Sequence, residues 1–123
     1  EAARRLMGPE AIIGLSVSNA AELEASRSLA AAGVVDYLGI GPIESTSTKP
    51  DAAAPLGLPG FAALAAVKPC PVVAIGSVKI HNAAALAAAG ADGIAVVSAI
   101  CGTADPRAAS EALLAAFRSG LKK

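Results

Sequence analysis

Pro71-Val72-Val73-Ala74-Ile75-Gly76 is apolar at every position rather than at every second one. A strand buried on both faces reads this way, and such strands belong to parallel sheets covered by helices. Downstream, Ser77 opens a loop, Asn82 is the expected cap of a helix over 83–89, and Gly90 ends that helix in a left-handed conformation. Gly93-Ile94-Ala95-Val96-Val97 is then the next strand. Thr103-Ala104-Asp105-Pro106 opens a last helix with Ala109, Leu113, Ala116 and Phe117 on one side, ending near Gly120 ahead of Lys122 and Lys123. Upstream, Pro59 suits the first turn of a helix running through Phe61, Leu64 and Val67.

Earlier still, residues 12–16 form a short apolar run. Asn19 caps a helix over 20–32, where Leu23, Arg27 and Ala30 mark helical spacing before Gly33. Asp36 introduces the strand Tyr37-Leu38-Gly39-Ile40-Gly41, and Pro42 stops it because proline has no ladder donor. A polar connection over 43–58 follows, and connections of that length in a compact domain are usually functional. The chain is thus four strand-helix units in tandem.

Composition supports one ordered domain over 1–123. The 123 residues are 54% hydrophobic, 16% charged and 2% aromatic, with ten basic and ten acidic side chains. Disorder needs more charge and less apolar content than this. Nucleic acid is not an expected partner, since Lys and Arg stand singly apart from Arg4-Arg5 and Lys122-Lys123. A membrane is not expected either: residues 83–91 and 93–102 each fall short of the ~18 to 20 apolar residues of a span, and Asp92 separates them. Cys70 and Cys101 lie in apolar surroundings without metal spacing and read first as buried free thiols and second as a disulfide, the free thiols pointing to a cytoplasmic location.

Parallel strands joined by right-handed crossovers leave two α/β architectures. One is a small open doubly wound sheet; the other is four βα units of a TIM (β/α)8 barrel, a half barrel. Polar or small groups recur after every strand, at Ser16, in the loop from Gly41 to Lys49, at Gly76-Ser77 and at Ser98, and this favours the half barrel. In either fold they share the rim where ligands bind.

Thr46-Ser47-Thr48-Lys49 places three hydroxyls and one ammonium within four residues, a set suited to an anionic, oxygen-rich ligand. An ordinary solvated loop has the same residue types. Small residues at Gly76-Ser77 and Val97-Ser98 would let a phosphate approach main-chain amides. Ser98 also fits a core hydroxyl bonded to backbone. His81 reads as a solvent-exposed residue at a helix start, and Glu44 and Asp51 as loop carboxylates able to pair with Lys49 or water.

Gly14-Leu15-Ser16, residues 36–42, Thr46-Ser47-Thr48-Lys49-Pro50-Asp51, Val72-Val73-Ala74-Ile75-Gly76 and residues 93–100 together resemble the thiamine-phosphate synthase family, in order and nearly in spacing. The resemblance implies that hydroxymethylpyrimidine diphosphate loses pyrophosphate to the nitrogen of a thiazole phosphate, giving thiamine phosphate. It implies that Ser16 and Lys49 contact the pyrimidine diphosphate, Lys49 as the catalytic charge on the departing pyrophosphate. Thr46, Ser47 and Thr48 would line the thiazole phosphate side, with Ser77 and the backbone at Val97 and Ser98 around its phosphate. Two positions depart from the family's pattern: Glu44 stands where it usually has an aromatic residue, and Ser77 where it usually has a second glycine.

The resemblance also implies magnesium, with its aspartate ligands and the pyrimidine-gripping segment expected upstream of residue 1; no metal ligand is assigned within the chain. Residues 1–7 resemble the helix before the family's fifth strand. The expected partners are therefore small phosphorylated substrates and either a missing N-terminal half barrel or another copy in a homo-oligomer, and the chain alone is expected to be inactive. A thiazole tautomerase-like protein and a noncatalytic phosphate-binding module are the alternatives. Thr46 through Asp51 favours the synthase.

Overall fold

The apolar run around Val73 is a strand, β3 (Val72–Ile75), and it lies inside the sheet. The computed structural model describes residues 1–44 and 55–121. Along them run α1 (Ala2–Met7), β1 (Gly14–Val17), α2 (Ala20–Ala31), β2 (Tyr37–Ile40), α3 (Gly57–Ala65), β3, α4 (Ile80–Ala88), β4 (Gly93–Ala95) and α5 (Pro106–Gly120). The four strands are all parallel and neighbour one another in chain order. That order lacks the reversal of a doubly wound sheet.

Right-handed crossovers that always step the same way set α2, α3 and α4 on one face, and α5 packs beside α4. The core shows this: Val17, Leu38, Ile40, Val72 and Ala74 are buried with Leu23, Phe61, Leu64, Leu86, Leu113 and Phe117. The register pairs Ser16 with Gly39 and Ile75 with Ala95, and these residues alternate onto the opposite face. There Ser16 and Ile75 are exposed. Among the described residues, no helix covers that face.

Local chemistry accounts for most element ends. Asn19 caps α2 by accepting the Glu22 amide at 2.8 Å, and Asp105 caps α5 by accepting that of Ala108 at 3.0 Å, with Pro106 at the first helical position. Gly90, with φ of 117°, follows α4 as expected. The cap of α4 differs from expectation: the helix starts at Ile80, Lys79 occupies the cap position, and Asn82 sits inside the first turn. Its side-chain oxygen reaches back to accept the Lys79 amide at 2.8 Å, the return half of a capping box. Helix α3 stops at Ala65, short of Val67, through tightened bonds from Val67 to Leu64 and Lys68 to Ala65 ahead of Pro69. Strand β4 ends at Ala95, and a surface turn follows it. Cys101 belongs to that turn and is exposed rather than buried, while Cys70 is half-buried; both are free thiols.

Candidate functional site

Because the strands are parallel and in register, their C-terminal ends form one edge. Ser16 in β1, the residues after Ile40, the Gly76-Ser77 turn after β3 and Val97-Ser98 after β4 stand along it. Ser16 pairs with Gly39, whose lack of a side chain leaves the hydroxyl open to solvent. Val97 and Ser98 are exposed too, so Ser98 is not the core hydroxyl its surroundings allowed. The Val97 carbonyl accepts the amides of Ile100 and Cys101 at 3.2 and 2.7 Å, forming a helical turn. The first amides of such a turn have no acceptor within it, a geometry suited to an anion. Thr46, Ser47, Thr48, Lys49 and Asp51 lie outside the described residues.

Glycine brings the second and third strand ends together. The Gly76 carbonyl accepts the Ile43 amide at 2.9 Å and the Glu44 amide at 3.3 Å. Gly76 has φ of 92°, and a β-carbon there would lie 2.6 Å from Pro42 Cα, so neither the conformation nor the space admits a side chain. The next residue, Ser77, also has positive φ, 64°, although it carries a side chain. A glycine would be at ease there.

The junction continues into a cluster that sequence reading missed. Glu44 Oε2 accepts from His81 Nε2 at 2.9 Å and from Asn82 Nδ2 at 3.2 Å. Asn82 Nδ2 also donates to the Ser77 carbonyl at 3.0 Å. The hydrogen bond from His81, then that from Asn82, holds the Glu44 carboxyl below the usual carboxylate range against a smaller desolvation effect. Helix α4 has no acidic residue in its own first turn, and Glu44 supplies negative charge there from another segment. His81 is exposed at the helix start as read, but it has a carboxylate partner 37 residues away. The signal available was that both residues fall beside strand ends.

At the opposite edge, the ion pairs are structural. Asp36 Oδ2 accepts the Ile13 amide at 2.8 Å and pairs with Arg4 at 2.7 Å; Asp92 Oδ2 accepts the Val72 amide at 2.9 Å and pairs with Lys68 at 2.8 Å. Burial pushes the Cys70 thiol up, helped by Asp36 and Asp92, which disfavours the reactive thiolate. Among the described residues, no three His, Cys, Asp or Glu side chains are grouped to hold a metal ion, and no helix is long and apolar enough to cross a membrane.

Comparison with known proteins gives these strand ends a family. The family model described as thiamine monophosphate synthase matches residues 1–100. The chain is 54% identical to a thiamine-phosphate synthase of Laribacter hongkongensis over 112 residues, which are 91% of this chain and 51% of that protein. It is 49% identical to the Azorhizobium caulinodans thiamine-phosphate synthase with the same coverage. Among solved structures, a thiamine phosphate pyrophosphorylase from Pyrococcus furiosus superposes with a TM-score of 0.80 at 34% identity, over 98% of this chain and 55% of that one. The chain spans about half the length of the curated relatives it matches. On sequence and on backbone alike, it belongs to the thiamine monophosphate synthase family.

Proposed function

We propose that this chain forms the thiazole-phosphate side of a thiamine-phosphate synthase site. In the proposed reaction the ring nitrogen of thiazole phosphate bonds to the methylene carbon of hydroxymethylpyrimidine diphosphate. The bond from that carbon to the diphosphate oxygen breaks, and pyrophosphate leaves with its electron pair. The observation that carries the reading is the common edge at which Ser16, Ser77, Val97 and Ser98 stand in a chain of this family.

In this reading Ser16 and Lys49 meet the pyrimidine diphosphate, and Lys49 counters the charge that grows on the leaving pyrophosphate. One such charge in a site shielded from water is worth about 3 kcal/mol of barrier. Thr46, Ser47 and Thr48 line the thiazole side, while the backbone at Ser77, Val97 and Ser98 holds its phosphate. The described residues do not form a site for the magnesium that the resemblance implies. Its ligands are therefore proposed to lie elsewhere.

The proposed domain, 1–123, acts as half of a (β/α)8 barrel whose uncovered sheet face meets a complementary set of βα units, in the cytoplasm. The test is to graft this chain in place of the matching half of a related synthase and assay thiamine phosphate by mass spectrometry. Synthesis by the graft is expected, with Lys49→Ala lowering turnover by about 10² while thiazole phosphate binding changes little. A folded graft that binds neither substrate would overturn the reading.

A further inference from the structure

Ser77 holds a left-handed backbone with a side chain attached, and such conformations persist only where the surroundings over-determine them. Here the surroundings are visible. The Asn82 carboxamide braces the turn twice, donating to the Ser77 carbonyl and accepting the Lys79 amide. Asn82 is buried, so its amide needs partners on both sides. Rotating that amide by half a turn would set its oxygen against the Ser77 carbonyl and the Glu44 carboxylate, acceptor facing acceptor. Glu44 thereby enforces the orientation that braces the turn. Glu44 is itself held at both ends, through its amide to the Gly76 carbonyl and through its carboxylate to His81.

We propose that Glu44 is a positioning residue that acts through Asn82 to hold the Ser77 turn in the shape that meets the thiazole phosphate, doing for a serine what a glycine would do unaided. The proposal rests on the functional reading above, in which this turn faces that ligand. It makes a prediction whose sign runs against simple electrostatics. Removing a negative charge beside an anion site should tighten anion binding. If Glu44 positions the turn, Glu44→Ala instead weakens it.

The test is titration of thiazole phosphate into the 123-residue chain and its variants, beside amide hydrogen exchange of residues 77–79 without ligand. Glu44→Ala is expected to weaken binding about tenfold and to speed exchange at the turn by a similar factor. Glu44→Gln keeps an acceptor for Asn82 and restores both to within about twofold. In a Ser77→Gly background, Glu44→Ala should weaken binding less than about twofold, because glycine adopts the turn unaided. Unchanged exchange of the core amide of Phe61 shows that each variant is folded. Binding by Glu44→Ala as tight as the parent's, or an equal loss in the Ser77→Gly background, overturns the proposal. If neither the parent chain nor its graft into a related synthase binds thiazole phosphate, the functional reading fails. The exchange arm then still decides the clasp: unchanged exchange at 77–79 in Glu44→Ala overturns it, and faster exchange rescued by Glu44→Gln supports it.

Discussion

Ser77, with φ of 64°, occupies a conformation that costs an L-residue roughly 1–2 kcal/mol, whereas glycine adopts it freely but loses about 0.5–1 kcal/mol in chain entropy. Ser77→Gly should therefore raise stability by up to about 1 kcal/mol in urea unfolding, and Ser77→Val, β-branched, should lower it. Gly76→Ala should destabilise more than Ser77→Val, since its β-carbon would press on Pro42 as well as force the dihedral. An equal effect of Gly76→Ala and Ser77→Val would show that contact with Pro42 adds nothing. The sequence displayed Gly76-Ser77 as a small pair after a strand, and its place on the rim was legible. Ser77 and Glu44 stood out only as departures from the family's pattern; the cluster of Glu44, His81 and Asn82 was not legible, because it arises where segments more than thirty residues apart meet, and no local pattern records that meeting.

Among the elements, the same device appears twice at the start of the sheet. Asp36, just ahead of β2, accepts the amide of Ile13 and pairs with Arg4; Asp92, just ahead of β4, accepts the amide of Val72 and pairs with Lys68. The Ile13 bond, then Arg4, holds the Asp36 carboxyl below its usual range. For Asp92, burial pushes the carboxyl up, but the bonds from Lys68 and Val72 together outweigh it and the net shift is downward. With folded values below unfolded ones, both carboxylates contribute stability that is complete above the ordinary carboxylate range and lost as pH falls through the lowered values. A double Asp36→Asn, Asp92→Asn variant should be less stable at neutral pH, and its urea midpoint should fall less steeply than the parent's between about pH 5 and about pH 2. Parallel slopes would show that other groups govern the acid limb. Element types were readable because apolar strands and capped helices are local. The cap of α4 was misplaced because asparagine serves equally from the cap position or, reaching back, from within the first turn, and only the extended backbone at Lys79 distinguishes them.

At the scale of the molecule, the two faces of the sheet differ in what a substitution should do. Phe61 is fully buried on the helix-covered face, and Phe61→Ala should cost about 3–5 kcal/mol, enough to threaten a domain of this size. Ile75 on the opposite face is 45% exposed, and Val97 beyond β4 is 60% exposed. An apolar groove of about 330 Å³ between β4 and α5, lined by Ile94, Val96, Ile100, Leu113 and Phe117, adds to the apolar surface near the β4 edge. Strands β1 and β4, each with one neighbour among the described residues, leave ladder groups unpaired. In the half-barrel reading, the unmatched half of a related synthase should bind this surface, measurable as a second species in sedimentation velocity when the two are mixed. Ile75→Asp should abolish that species, because a carboxylate there would be buried without a partner on pairing, while leaving urea unfolding of the chain alone within about 1 kcal/mol of the parent. If Ile75→Asp instead unfolds the isolated chain as severely as Phe61→Ala, the face is already part of its own core, and the complementary half has no seat there.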